Sequence, residues 1–110
     1  MIEVNEIRKL SKRIAEEFRA EKVILFGSYA NGKARPDSDV DLLVIMSFKG
    51  GSILKAAEIV RRLDPPFGVD LIVRTAKQIR RRLALNDFFV RDIMATGKTL
   101  YAAHNRREET

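Results

Sequence analysis

Two groups of residues in this sequence could take part in binding or catalysis. They are a Gly-Ser pair and an Asp-x-Asp pair, separated by ten residues. The apolar run Val23–Phe26 leads into Gly27 and Ser28, and a second apolar run follows Asp39 and Asp41. Both runs are short, rich in branched or aromatic side chains and bounded by turn residues, which is typical of buried β-strands. The two strands therefore bring the Gly-Ser turn and the acidic pair to the same end of a sheet.

The spacing of these residues suits a divalent cation beside a phosphate. Side chains alternate faces along a strand, so Asp39 and Asp41 point the same way, and neighbouring carboxylates repel unless a cation lies between them. Mg²⁺ prefers such oxygen ligands together with substrate phosphates. Gly27 has no side chain, so its backbone can approach a phosphate closely, while Ser28 offers a hydroxyl and opens a short helix over residues 28–31. The motif therefore predicts a phosphate-binding turn beside a metal site.

A third carboxylate lies on another predicted strand. Asp70 is the one polar residue in the apolar run Val69–Val73. One interpretation is an exposed residue at the start of the strand, paired with Arg74 or Arg61. The other interpretation is a third acid that faces the Asp-x-Asp pair from the neighbouring strand.

Helical spacing of apolar residues predicts four longer helices. The first spans about residues 3–20. The second is capped by Ser52, and the third is capped by Thr75. The fourth is opened by the pair Asn86-Asp87 and closed by Gly97. These helices must cover the sheet that carries the Gly-Ser turn and the acids.

The strands complete an α+β (α/β) fold with a small mixed sheet of three to four strands covered by helices. A strand–helix–strand unit of the observed length implies a crossover over one sheet face. The predicted strands span about residues 22–27, 39–46, 69–73 and, as an optional fourth, 98–101.

Composition indicates an ordinary folded protein with a basic surface. The 110 residues, 45% of them hydrophobic and 33% charged, predict a single domain over residues 1–110. The absence of Cys excludes disulfides, and the one histidine, His104, lies in a polar tail that we expect to be frayed from about residue 103. The net charge of +6 suits a polyanionic ligand or partner. No apolar run has the length of a membrane span, so we expect no membrane contact and a cytoplasmic location.

The motif residues resemble those of a known family. Gly-Ser-Tyr-Ala-Asn-Gly at 27–32 and Arg-Pro-Asp-Ser-Asp-Val-Asp-Leu at 35–42 are similar to the signature of the nucleotidyltransferase superfamily related to DNA polymerase β. They look most like its smallest branch, the MNT (minimal nucleotidyltransferase) proteins. The resemblance is strong over about residues 23–73. It implies the nucleotidyltransferase fold and the transfer of a nucleoside monophosphate from a nucleoside triphosphate, with pyrophosphate leaving.

The resemblance also implies roles for individual residues. The implied catalytic and metal-binding residues are Asp39, Asp41 and Asp70, and the implied nucleotide-binding residues are Gly27, Ser28, Lys33 and Arg35. Two Mg²⁺ ions would neutralise charge on the transferring phosphoryl group of ATP, and Asp70 would accept the proton of the acceptor. Many relatives have Arg where this chain has Asn31, which implies weaker phosphate binding or a shift of that role to Lys33.

The partner implied by the resemblance is a small helical HEPN-type toxin. In that arrangement the MNT protein is the antitoxin of a type VII-like toxin–antitoxin pair and adds AMP from ATP to a tyrosine of the toxin. The sheet and its helices use up the chain, so we expect a second chain to complete the acceptor side in a homo- or hetero-oligomer.

Three other functions remain open from the sequence. The chain could neutralise a toxin by binding alone, or it could modify a small molecule such as an aminoglycoside. A nucleic-acid-binding module fits the charge, but the Asp cluster would repel phosphates in the absence of metal, so nucleic acid is not expected as a direct substrate. The basic run Lys77, Arg80, Arg81 and Arg82 is either a solvated helix face or a patch that contacts a nucleotide, RNA or a partner protein.

Overall fold

A computed structural model describes residues 1–103, which form five helices and four strands. The predicted frayed tail, with His104, lies outside the described residues. None of the helices in this part of the chain has the length and apolarity needed to cross a bilayer. The elements are α1 (Val4–Phe18), β1 (Lys22–Phe26), α2 (Ser28–Asn31), β2 (Val40–Ile45), α3 (Ser52–Leu63), β3 (Val69–Arg74), α4 (Ala76–Ala84), α5 (Phe88–Thr96) and β4 (Lys98–Ala102).

The strands form one mixed sheet in the order β3-β2-β1-β4. β1 pairs antiparallel with both β2 and β4, whereas β2 pairs parallel with β3. Parallel neighbours need a crossover connection, and α3 supplies it. The predicted α+β architecture with a mixed sheet is confirmed, and the optional fourth strand is present at the β1 edge.

One face of the sheet, here called the first face, is covered by α1 and α3. Ile7 and Ile14 of α1 and Ile59 of α3 are each 1% exposed and pack against it. Full burial of a side chain of this size contributes about 1.5–3 kcal/mol, so this layer is a major source of stability. The buried strand residues of the first face are Val23, Leu25, Val40, Leu42, Val44, Leu71 and Val73.

The opposite face, here called the second face, is covered by α4 and α5. Its apolar cluster is smaller than that of the first face. Phe26 at the end of β1 meets Phe89 of α5 edge to face, with ring centroids 5.7 Å apart. The buried members of the cluster are Ile24, Leu43, Ile45, Ile79, Val90 and Ile93.

The predicted helix starts are confirmed at two positions and wrong at one. Thr75 accepts a hydrogen bond from the N–H of Gln78, whose side chain accepts one from the N–H of Thr75, so the two form a capping box. Of the predicted opening pair Asn86-Asp87, Asp87 is the residue that caps α5, and its side chain accepts a hydrogen bond from the N–H of Val90. Ser52 is not the cap of α3. It is the first helical residue, because Gly51 has the extended conformation of the cap position.

The close approach of α5 to β1 gives a test of packing. A methyl group on Gly97 would lie 2.5 Å from the carbonyl oxygen of Ile93 and 2.6 Å from Cγ2 of Ile24. We expect Gly97→Ala to lower the free energy of unfolding by about 1–3 kcal/mol through overpacking, measured by urea denaturation. Gly51→Ala is the control, because the nearest atom would be 3.9 Å away. Equal losses for the two variants would contradict this packing.

Candidate active site

Parallel pairing places Asp41 directly beside Asp70. β2 and β3 are in register, with Asp41 opposite Asp70 and Leu43 opposite Ile72. Alternate residues of a strand share a face, so both carboxyl groups lie on the second face, one same-face position before Leu43 and Ile72. Two of the predicted acids, from separate strands, are therefore brought together.

Neither of the arginines that the sequence offered as partners of Asp70 forms an ion pair with it in the described residues. Within residues 1–103, Asp70 forms no ion pair with Arg74 or Arg61. Arg74 instead donates from Nη1 to the carbonyl oxygen of Val73 at 2.8 Å. The position of Asp70 on the sheet is consequently not explained by pairing with either arginine.

The pKa of Asp41 is raised above the ordinary value of an aspartate. Burial of the half-buried carboxyl group is the largest cause, and the negative charges of Asp70 and then Asp39 add to it. Burial and like charges both disfavour the ionised form. The three acids thus interact electrostatically, and a nearby cation would relieve both their repulsion and the desolvation of Asp41.

Two glycines make room for the acidic side chains. Gly27, with φ 71° and ψ −153°, has a backbone conformation that is essentially restricted to glycine, and a methyl group there would overlap Oδ2 of Asp41. A methyl group on Gly68 would overlap Oδ1 of Asp39. Gly27 follows β1 and Gly68 precedes β3, so the Asp39 and Asp41 side chains turn toward opposite neighbours of β2.

Sequence reasoning identified Gly27 but missed Gly68. Its backbone carbonyl also accepts a hydrogen bond from the N–H of Val40 at 3.0 Å, which ties the start of β2 to the start of β3. The available signal was a glycine directly before a strand that carries a carboxylate.

The Gly-Ser turn forms the predicted short helix. Ser28 begins α2, and the carbonyl oxygen of Gly27 accepts hydrogen bonds from the N–H groups of Ala30 and Asn31 at 3.0 and 3.1 Å. The side-chain oxygen of Asn31 accepts a bond from the N–H of Lys33 at 3.1 Å. Asn31 therefore stabilises the local turn, a task that its amide performs without a positive charge.

The predicted loop cations lie between the turn and the acids. Lys33 and Arg35 have exposed side chains, and neither forms an ion pair within residues 1–103. The backbone of Arg35 is fixed, since its N–H donates to Oγ of Ser38 at 2.8 Å. Both cations are near the motif in sequence, and the structure brings neither into an ion pair with the acids.

The carboxylate oxygens of Asp39, Asp41 and Asp70 are suitable ligands for a hard divalent cation, but the three side chains do not converge on one point. Among residues 1–103, no three acidic, histidine or cysteine side chains converge on a common metal position. Carboxylate oxygens on adjoining strands are suitable Mg²⁺ ligands, and binding one ion to all three would require a side chain to turn.

Comparison with known proteins identifies the family. The profile of the family described as "Nucleotidyltransferase domain" matches residues 7–98, which include the Gly-Ser turn and all three acids. The chain belongs to this family. "Protein adenylyltransferase MntA" from Thermococcus cleftensis is 34% identical over 82 residues, which cover 69% of this chain and 82% of that protein. The chain is thus a nucleotidyltransferase.

Solved structures agree with the fold of this nucleotidyltransferase. A candidate nucleotidyltransferase from Sulfolobus solfataricus superposes with a TM-score of 0.56 at 26% identity, covering 70% of each chain. A chain in a structure described as a toxin–antitoxin with AMP-PNP has a TM-score of 0.52 at 22% identity, covering 98% of this chain and 80% of that one. These similarities confirm the predicted nucleotidyltransferase fold.

The close approach of Gly27 to Asp41 can be tested by a double-mutant cycle in the nucleotidyltransferase. Gly27→Ala should cost about 2–4 kcal/mol, because it combines backbone strain of about 1–3 kcal/mol with overlap of the Asp41 carboxyl group. In an Asp41→Ala background the overlap is removed and the cost should fall by about 1 kcal/mol or more. Both values come from urea denaturation.

The control for this cycle is Gly32→Ala. Gly32 also has positive φ, at 78°, but a methyl group there meets no atom within 4 Å. It should cost about 1–2 kcal/mol in either background. An unchanged cost of Gly27→Ala when Asp41 is truncated would mean that the two residues do not compete for space.

The raised pKa of Asp41 predicts a stability effect with a definite sign. The folded state binds the Asp41 proton more tightly than the unfolded state, so this group favours folding at low pH, and that contribution is lost as pH rises through its raised pKa. Asp41→Asn should therefore raise the thermal midpoint by about a few degrees at neutral pH in chelator, with the gain shrinking in acid. Scanning calorimetry across pH measures this difference.

Asp37→Asn is the charge-matched control, because Asp37 is exposed in the loop before β2. It removes one negative charge without removing a half-buried carboxyl group. A lower midpoint for Asp41→Asn at neutral pH, or the same change for both variants, would contradict the electrostatic conflict assigned to Asp41.

Proposed function

We propose that this nucleotidyltransferase transfers AMP from ATP to a tyrosine hydroxyl of a HEPN-type toxin and thereby acts as its antitoxin. The observation that carries the proposal is the in-register pairing of Asp41 with Asp70 on one sheet face, beside the glycine-only turn at Gly27. This arrangement supplies anionic oxygens for a metal and a tight backbone turn for a phosphate at the same end of the sheet. The proposal includes a cytoplasmic location, where ATP is available.

In this proposal Asp39, Asp41 and Asp70 hold Mg²⁺, which supplies charge neutralisation at the transferring phosphoryl group. Asp70 accepts the proton of the attacking hydroxyl, because it is the most exposed of the paired carboxylates and lies on the edge strand. Gly27 and Ser28 seat the β- and γ-phosphates. Holding both substrates in line accounts for most of the catalysis expected of such a site.

Lys33 and Arg35 are proposed to screen the triphosphate from the loop that joins the turn to the acids. Their exposed side chains have no ion-pair partner in residues 1–103, so moving toward an anionic ligand breaks no existing ion pair there. Lys33 is the nearer in sequence to the position where many relatives have Arg. We propose that it supplies the charge that Asn31 lacks.

A protein acceptor is favoured by the similarity to the Thermococcus cleftensis protein adenylyltransferase. A toxin as that acceptor is suggested by the family resemblance and by the occurrence of this fold in a toxin–antitoxin structure. The tyrosine and the HEPN class of the toxin come from the family resemblance alone. A hetero-oligomer with the toxin would complete the acceptor side of the site.

A binding-only antitoxin is the second candidate. The side chain of Asn31 is engaged in its own turn, so a cation found in many relatives is replaced by a group with a local structural role. This second function predicts a tight complex without transfer of AMP. Binding alone gives no role to the closely spaced carboxylates of Asp41 and Asp70, and we prefer the enzymatic function because it does.

The test incubates the chain with α-labelled ATP, Mg²⁺ and the protein encoded by the adjacent reading frame. We expect label on a tyrosine of the partner, and a loss on the order of 10²–10³-fold in rate for Asp41→Asn and Asp70→Asn, because each removes a charge that acts in the transition state. Mass spectrometry locates the label. Asp37→Asn is the control and should retain the rate.

The other outcomes identify the alternatives. A stable complex that carries no label would support the binding-only antitoxin. In a parallel incubation with an aminoglycoside in place of the partner protein, label on the aminoglycoside would support a small-molecule enzyme. Undiminished labelling by both Asp41→Asn and Asp70→Asn would refute the assignment of the site.

A further inference from the structure

A pocket of about 170 Å³ lies on the second face between the sheet and the helices α4 and α5. Its floor is apolar, with Leu43 and Ile72 from β2 and β3 and Ile79 and Ile93 from the helices. Its charged lining residues are Arg74, Arg82 and Asp87. Phe89, which is 54% exposed, adds an aromatic wall. Nothing in the roles proposed so far uses this pocket.

The pocket adjoins the acids along the same strands. Leu43 is the next same-face residue after Asp41, and Ile72 is the next same-face residue after Asp70. Two residues of a strand span roughly 6.5 Å. A group seated on Leu43 and Ile72 is therefore about one side-chain length from the carboxylates, on the side away from the Gly27–Ser28 turn.

We propose that this pocket holds the aromatic ring of the acceptor, a phenol side chain of the partner protein, so that its hydroxyl reaches Asp70. The inference rests on the proposed function and specifies where its acceptor binds. Attacking and leaving oxygens lie roughly in line in phosphoryl transfer. With the leaving pyrophosphate at the Gly27–Ser28 turn, the attacking hydroxyl must come from the opposite direction, which is the direction of the pocket.

The size of the pocket favours a single ring over a nucleoside. A cavity of about 150 Å³ is known to accept benzene, so a pocket of about 170 Å³ has room for one aromatic ring. A purine with its ribose is larger. A phenol can therefore be enclosed whole, whereas a nucleoside would extend out of the pocket, and the apolar floor gives the ring a contact surface.

The surroundings of the pocket suit a protein carrier of that ring. Leu85 and Phe88 at the α4–α5 corner are 65% and 80% exposed, and they offer apolar contact area beside the pocket. Two arginines, Arg74 and Arg82, line the pocket, whereas Asp87 is its one acidic lining residue. We expect the phenol to be flanked by acidic residues on the partner.

The reaction assigned to the seated ring is balanced. The phenol oxygen forms a bond to the α-phosphorus of ATP, and its proton passes to the Asp70 carboxylate. The bond between the α-phosphorus and the bridging oxygen breaks, and pyrophosphate leaves with that electron pair. The products are an aryl adenylate ester on the partner and pyrophosphate, with no oxidant or reductant involved.

Binding can be measured without catalysis by methyl NMR of the full chain. The probe is p-cresol, the side chain of tyrosine, titrated into protein labelled at Ile, Leu and Val methyl groups. We expect saturable shifts of the Leu43, Ile72, Ile79 and Ile93 methyl signals in the millimolar range typical of so small a ligand, and no shifts on the first face. Absence of these shifts, or shifts of the same methyl groups by adenosine and not by p-cresol, would overturn the proposal.

A pocket-filling variant tests the role of the site in the reaction. Ile72→Phe should abolish the p-cresol shifts and raise the KM for the partner protein by about tenfold or more, while the KM for ATP stays within about twofold. Val60→Phe is the matched control, since it adds the same ring to a half-buried position of α3 on the first face. An equal rise in KM for both variants, or a rise for ATP alone, would refute the assignment.

The proposed transfer of AMP and the proposed phenol site can be refuted independently of each other. If p-cresol binds at the pocket and the partner is never labelled, the proposed AMP transfer fails and the phenol site stands. If the partner is labelled at the same rate by Ile72→Phe as by the unaltered chain, the transfer stands and the acceptor does not use this pocket.

Discussion

The central constraint in this structure is that two like charges, those of Asp41 and Asp70, are held side by side by the hydrophobic core beneath them. Parallel pairing of β2 with β3 fixes Asp41 beside Asp70, and both the burial of Asp41 and the neighbouring charges raise its pKa. These carboxylates would separate if the strands were free to do so. They are held because the same strands bury Leu42, Val44 and Val73 on the first face, where each is completely or almost completely buried. The hydrophobic stabilisation of those residues exceeds the repulsion that it imposes.

The first face of the sheet carries most of the hydrophobic core, whereas the second face carries the acids and the pocket. α1 and α3 cover the first face with a large apolar cluster, whereas α4 and α5 cover the second face with a smaller one. The acids continue the second face at one end of the sheet, and the pocket lies between them and the helices. A strand side chain on one face does not intrude on the other, so the acidic end can be polar without disrupting the main core.

Much of this arrangement could be predicted from the sequence, because its signals are local. Short continuous apolar runs bounded by turn residues identify the strands. Thr75 and Asp87 mark helix starts through side chains that are present in the sequence itself. The fixed residue types around Asp39 and Asp41 identified the family that the comparisons confirm. Asp70 could be placed on its strand, and the choice of face then followed once the pairing was known.

What could not be predicted depends on pairing between distant segments. Gly68 makes room for Asp39 only because β3 begins beside β2, and no local rule relates residues so far apart in the chain. The pocket likewise combines two strands and two helices, so no sequence window contains it. The start of α3 was misplaced by one residue because Gly51 supplies an extended backbone without any side-chain signal.

The net charge of the chain is positive, whereas the charge of the candidate site is negative. The two charges act on an anionic ligand at different distances. The net charge of +6 attracts an anionic nucleotide over a longer range than any single contact. Close to the sheet, the three acids repel the same phosphates unless a divalent cation accompanies them. In the proposed function, long-range attraction combined with short-range repulsion would favour a nucleotide that arrives with its metal. A merely basic surface would retain nucleotide without metal, and a merely acidic site would bind metal without attracting nucleotide.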